Sequence, residues 1–120
     1  MRRLHGLVFV TDMTRSVAFY RTLLQREPTY QSEHWTEFEV GGARLGLHTW
    51  DGQGSPAGAG TVRLFFEVED IEAEKARLEQ AGVRLRGQIV DLEGAGRDLL
   101  FEDPDGHVLE LWQPPEKVSR

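Results

Sequence analysis

Two hydrophobic rhythms run along this chain, and the same succession of them occurs twice. Leu4–Val10 is a mostly apolar run that predicts a short buried strand. Asp12 follows it, a residue able to cap a helix by accepting from free amides of the first turn. Met13, Val17, Tyr20 and Leu24 then fall at i, i+4, i+7 and i+11, one face of a helix that Pro28 ends. Trp35–Val40 alternates polar and apolar, with Phe38 and Val40 on one side. Gly41-Gly42 is a hairpin signal, and Ala43–Thr49 returns as the next strand.

The second half repeats the programme. Val62–Val68 predicts a strand, Asp70 a helix cap, and Ile71–Ala81 a helix stopped by Gly82. Glu72–Lys75 and Glu74–Arg77 are spaced i, i+3 on that helix. Val83 and Leu85 alternate with Arg84 and Arg86, as in a half-buried strand. The segment 93–96 reads as a loop and Arg97–Glu102 as a strand. Asp103-Pro104-Asp105-Gly106 is a strong turn, with Pro fixing φ and Gly supplying positive φ. His107–Gln113 is the last strand, closed by Pro114-Pro115.

The two halves can be aligned residue by residue. Val10, Asp12 and Met13 match Val68, Asp70 and Ile71 at an offset of 58, and 42–47 matches 106–111 at an offset of 64. A repeat of this length means two copies of one supersecondary unit. Each copy reads β-α-β-β-β, with a parallel crossover followed by a meander. The first strand of each copy then lies beside its last, which places position 5 near 46 and 48, and position 63 near 110. Under this alignment His5 corresponds to Arg63, and Gly46 to Glu110.

Composition narrows the partners. Residues 1–120 are read as a single domain, with module 1 at about 4–50, a Gly-rich linker at 51–60 and module 2 at about 62–113. The formal net charge of −6 argues against nucleic acid and anionic membranes and suits a cationic ligand. There is no cysteine, which removes disulfides and thiol chemistry and fits a cytoplasmic location. The apolar run Leu7–Val10 is too short for a secretory or membrane-spanning segment.

The opening LHGLVFVTDMTRSVAFY and the closing FEDPDGHVLELWQ resemble the vicinal oxygen chelate superfamily, which includes glyoxalase I, bleomycin-resistance proteins, fosfomycin-resistance transferases and extradiol dioxygenases. The resemblance implies an α+β fold of two βαβββ modules in tandem, whose half-barrel sheets pair around a pocket. It also implies metal-ligand positions on the first and last strands of each module, which fall on His5, Gly46, Arg63 and Glu110. Two of these are filled by ligating types. Arg63 cannot ligate, because guanidinium keeps its proton and has no lone pair to give. A fosfomycin-type His, His, Glu set would need histidine at 63.

Arg63 instead suggests a charge-assisted, even bidentate, pair with Glu110 in the place of a metal. His48 shares a strand face with Gly46 and could complete a His5, His48, Glu110 set, although two residues displace it by roughly 6–7 Å. Trp112 shares a face with Glu110, and Trp35, Trp50, Phe38 and Phe65 are further aromatic candidates. Gly46 leaves space for a ligand or allows close strand packing. His34 and His107 read as surface or turn residues.

Three functions compete. The first is a metal-independent binder of a small organic molecule, with no cofactor and a pocket drawing on His5, Gly46, His48, Arg63, Glu110 and Trp112. The second is a metal-dependent lyase, isomerase or dioxygenase. It would use one divalent Zn, Ni, Fe or Mn ion held by His5, Glu110 and, in one variant, His48. The third is a metal-free enzyme with Glu110 as catalytic base. Arg63 beside it is expected to depress its pKa and make it a poor base. A homodimer is expected, since open half-barrels leave strand edges and apolar faces to cover.

Overall fold

The programme of two repeats becomes two four-stranded sheets, each carrying one helix, in a computed structural model that describes residues 4–50, 52, 56–57 and 63–116. The elements are β1 (Gly6–Val10), α1 (Met13–Leu24), β2 (Tyr30–Gln31), β3 (Trp35–Val40), β4 (Ala43–Thr49), β5 (Phe65–Glu67), α2 (Ile71–Gln80), β6 (Arg84–Asp91), β7 (Arg97–Glu102) and β8 (Val108–Gln113). The fold is α+β, two tandem βαβββ modules. The first sheet runs β1-β4-β3-β2 and the second β5-β8-β7-β6. Most of the expected linker, and Val62 of the expected strand, lie outside the described residues.

The chain divides into two units. Unit 1 comprises the described residues of Met1–Ala59 with Pro104–His107, and unit 2 those of Gly60–Asp103 with Val108–Arg120.

In unit 1, β1 lies parallel to β4, with Leu7 opposite Gly46 and Phe9 opposite His48. The face covered by α1 buries Val8, Val10, Phe38, Leu45 and Leu47 against Val17, Tyr20 and Leu23. The buried face of α1 centres on Ser16, Val17, Tyr20 and Leu23, with Met13 and Leu24 at its margins, slightly rotated from the face expected. Asp12 caps α1 by accepting from the Arg15 amide. The helix ends before Pro28, at Gln25, which adopts a left-handed conformation. The two-residue strand β2 was not anticipated. It is too short for any alternation to register, and only its pairing with Thr36 and Glu37 defines it. The turn residue Asp105 accepts from the Thr11 amide and hydroxyl and from Arg15.

Unit 2 repeats this arrangement. β5 lies parallel to β8, with Phe65 opposite Glu110. At offsets of 58 and 64 this is the same register as Leu7 opposite Gly46, so the alignment of the halves holds at the level of strand pairing. Ile71, Leu78, Leu99, Phe101, Leu109 and Leu111 form the core under α2. Asp70 caps α2, and the Gln113 side chain accepts from the Ile71 amide. The Glu74–Arg77 pair closes at 2.7 Å, while Glu72 meets Arg97 on β7. β6 runs on to Asp91, past the stretch expected, through a register shift between Arg86 and Val90 where Gly87 has φ 86°. Positive φ there is what Gly allows at little cost.

Candidate functional site

Side chains alternate across a strand, so the residues that skip the helix-covered core appear together on the opposite face of each sheet. In unit 2 that face carries Arg63, Phe65, Glu110, Trp112 and Asp98. Arg63 Nη1 donates to Glu110 Oε1 at 3.4 Å, across the junction of β5 and β8. The contact is single and long rather than bidentate, and the Arg63 side chain is nearly half exposed. The Phe65 and Trp112 rings meet edge to face, 5.9 Å apart. Trp112 Nε1 donates to the Ala95 carbonyl at 2.7 Å, which fixes the indole.

Glu110 behaves differently from expectation. Its pKa is raised above the usual carboxylate value, chiefly because burial disfavours the charge. The hydrogen bond from Arg63 opposes this, but Asp98 raises the pKa further, by charge and by hydrogen bonding. One guanidinium at 3.4 Å does not outweigh desolvation and a second carboxylate. The expected depressed pKa is therefore corrected, and with it the argument that Glu110 makes a poor base. Asp98 escaped notice in the sequence. Its signal lay in the meander, where Leu100 pairs with Glu110 and Asp98 with Trp112 on the same face.

In unit 1 the equivalent face carries His5, Leu7, Phe9, Trp35, Gly46 and His48. His5 lies two residues before Leu7, the partner of Gly46, and its Nδ1 accepts from the Arg44 amide at 2.9 Å. A backbone N–H can only donate, so neutral His5 carries its proton on Nε2 and has no ring lone pair to spare. His48 has the opposite tautomer: Nδ1 lies 2.8 Å from the Thr49 carbonyl and must donate to it, which leaves the Nε2 lone pair open.

Gly46 does not leave a vacancy. The six-membered ring of Trp35 lies over it, and a Cβ built there would fall 2.8 Å from Trp35 Cζ2. Close packing is therefore the role of this glycine. Trp35 in turn meets His48 edge to face at 5.9 Å, and Phe9 contacts both His48, at 5.7 Å, and Trp50, at 5.5 Å. Phe9 was not singled out in the sequence, where it reads as one more apolar strand residue. Phe38, an aromatic candidate, is fully buried in the core. His34 sits near Thr49, with its Nδ1 3.4 Å from the Thr49 hydroxyl.

A sequence model of the Glyoxalase/Bleomycin resistance protein/Dioxygenase superfamily matches residues 2–111. The chain belongs to this superfamily. Among its relatives it is 30% identical over 111 residues to the metallothiol transferase FosB of Shouchella clausii, covering 89% of this chain and 76% of that protein. It is 28% identical over 117 residues to the phenazine antibiotic resistance protein EhpR of Enterobacter agglomerans, covering 88% and 86%. The fold matches that of the fosfomycin resistance protein FosX of Listeria monocytogenes, in its crystal structure with Mn(II) and sulfate. That match has a TM-score of 0.80 at 22% identity and covers 96% of this chain and 92% of that one.

The donor set fits the superfamily's divalent metal poorly. Such a site asks for three or more lone-pair donors. Here one of the four positions is a glycine under an indole, one is a guanidinium against the carboxylate, and His5 spends its lone pair on Arg44. No three His, Asp or Glu side chains among the described residues are grouped to hold an ion.

Proposed function

We propose that this superfamily member binds a small organic molecule and does so without a catalytic metal. The observation that supports it most is the Arg63–Glu110 pair at 3.4 Å, which sets a cation beside the one carboxylate left at the four positions. A metal ion there would meet a positive charge it cannot displace chemically, since guanidinium does not deprotonate near neutral pH. The resistance function in the name of the relative EhpR is compatible with a binder, and the exposed rings supply apolar surface of the kind that lines ligand sites.

The groups proposed for ligand contact belong to each unit separately: in unit 1 His48 as acceptor beside Trp35, which Gly46 seats against the sheet, and in unit 2 Arg63, Glu110 and Trp112. His5 contributes by bracing the Arg44 amide. A homodimer is part of the proposal, because Leu4 and Tyr30, the latter on the edge strand β2, are each more than half exposed. No helix among the described residues is long and apolar enough to cross a membrane.

One observation favours a second reading. His48 presents the tautomer of a metal-ligating histidine, and the relative FosB is named a metallothiol transferase. A metal-dependent lyase, isomerase or dioxygenase would need Arg63 to leave Glu110.

A thermal-shift screen of small organic molecules with EDTA present separates the two. A binder is stabilised by its ligand according to RT ln(1 + [L]/Kd), with or without chelator. Ligand stabilisation that disappears in EDTA and returns with added Zn, Ni, Fe or Mn would support the metal-dependent enzyme instead.

A further inference from the structure

Sheet faces turned away from the core are ordinarily polar. In unit 1 this face is aromatic instead, and the two repeats differ sharply there. Phe9 corresponds to Glu67 and Gly46 to Glu110, so unit 2 carries carboxylates where unit 1 carries a ring and a glycine. Trp35, His48, Phe9 and Trp50 form one continuous row on β3, β4, β1 and the residue after β4, with neighbouring centroids 5.5–5.9 Å apart and planes inclined by 64–74°. Phe9 is 38% exposed, and His48 is exposed as well.

Two further features set this row apart from ordinary packing. Gly46 lets the indole of Trp35 lie down against the sheet, so Trp35 flanks His48 rather than standing over it. The Thr49 carbonyl holds His48 in the Nδ1–H tautomer, so this exposed histidine offers an acceptor, Nε2, beside the rings. Ring faces and edges select a flat π-system, and the open His48 acceptor selects a donor on it.

We propose that the Trp35–His48–Phe9–Trp50 row of unit 1 is the recognition surface for a planar aromatic molecule carrying one N–H or O–H donor, which His48 Nε2 accepts. This rests on the binder reading above and names its ligand class. Anionic aromatics are disfavoured, because an acceptor lone pair repels a carboxylate and the chain carries a formal net charge of −6.

The test uses 2-naphthol, 2-methoxynaphthalene and decahydro-2-naphthol as probes. Binding is followed by calorimetry and by two-dimensional NMR of the indole and imidazole N–H groups of the full chain. The expected result is that 2-naphthol binds most tightly and shifts the Trp35, Trp50 and His48 signals. The saturated alcohol should bind at least several-fold more weakly. His48→Phe keeps a ring but removes the acceptor. It should weaken 2-naphthol by roughly three- to ten-fold, the worth of one hydrogen bond, and leave 2-methoxynaphthalene unchanged. Equal binding of the flat and saturated alcohols would overturn the inference. So would shifts confined to unit 2 signals such as Trp112, or a folded His48→Phe protein that loses both naphthalenes equally. Shifts confined to unit 2 leave the binder reading intact, whereas binding of any probe that requires added metal sinks that reading first.

Discussion

Arg63 Nη1 lies 3.4 Å from Glu110 Oε1, and the same two positions in the other repeat are His5 and Gly46, which make no such pair. His5 turns to the Arg44 amide, and Gly46 lies beneath Trp35. The scaffold is repeated at the level of strand register, but each half has given the inherited positions different work.

Removing the Arg63 cation should push the Glu110 pKa up further, because Arg63 is the group that lowers it. Arg63→Met, followed by carbon-13 NMR titration of the Glu110 carboxyl, should show this rise. The cost in stability should be small, about 0–1 kcal/mol, since the contact is long and the Arg63 side chain is 44% exposed. A fall in the Glu110 pKa would mean that Arg63 is not its main counter-charge.

Glu110 also links stability to pH. Its folded pKa is raised above 4.5, so the folded state holds its proton more tightly than the unfolded state does. Its contribution is then fully present below pH 4.5 and is lost as pH rises through the folded value. Glu110→Gln should therefore match the parent or exceed it in thermal stability near neutral pH, with the advantage shrinking toward acid. Melting curves across pH check the sign.

Gly46→Ala should destabilise unit 1. The added Cβ meets the Trp35 ring, which has to move. Overpacking of this kind costs about 1–3 kcal/mol. Trp35 would be displaced from His48, so a change in tryptophan emission should accompany the lower melting temperature. Unaltered emission would show that the indole does not rest on this glycine.

The two histidines should occupy opposite tautomers. Nitrogen-15 shifts of the imidazole rings should report His5 protonated at Nε2 and His48 at Nδ1, as their partners require. Finding His5 protonated at Nδ1 would free its Nε2 lone pair and reopen the case for a metal ligand.

The fold was largely legible because its signals are local. Asp12 and Asp70 announce both helices, and Trp35–Val40, Ala43–Thr49 and Arg97–Glu102 show strand patterns bounded by glycine and turn residues. The pairing of Arg63 with Glu110 was legible too, because the repeat fixes which strands are neighbours. What escaped depends on distance and orientation. β2 exists only through its partner strand, and Asp98 reaches Glu110 only through the meander. The direction of the Glu110 shift depends on burial, which residue types alone do not report. Trp35 over Gly46 is a diagonal contact between adjacent strands, so a glycine that read equally well as space or as packing proved to be packing.

The central claim is that Arg63 stands where a metal would otherwise bind. Elemental analysis of protein purified without chelator, before and after dialysis against Zn, Ni, Fe and Mn salts, tests it most directly. The account predicts no stoichiometric metal in either sample. One divalent ion retained per chain, lost on replacing Glu110 by Gln, would contradict it.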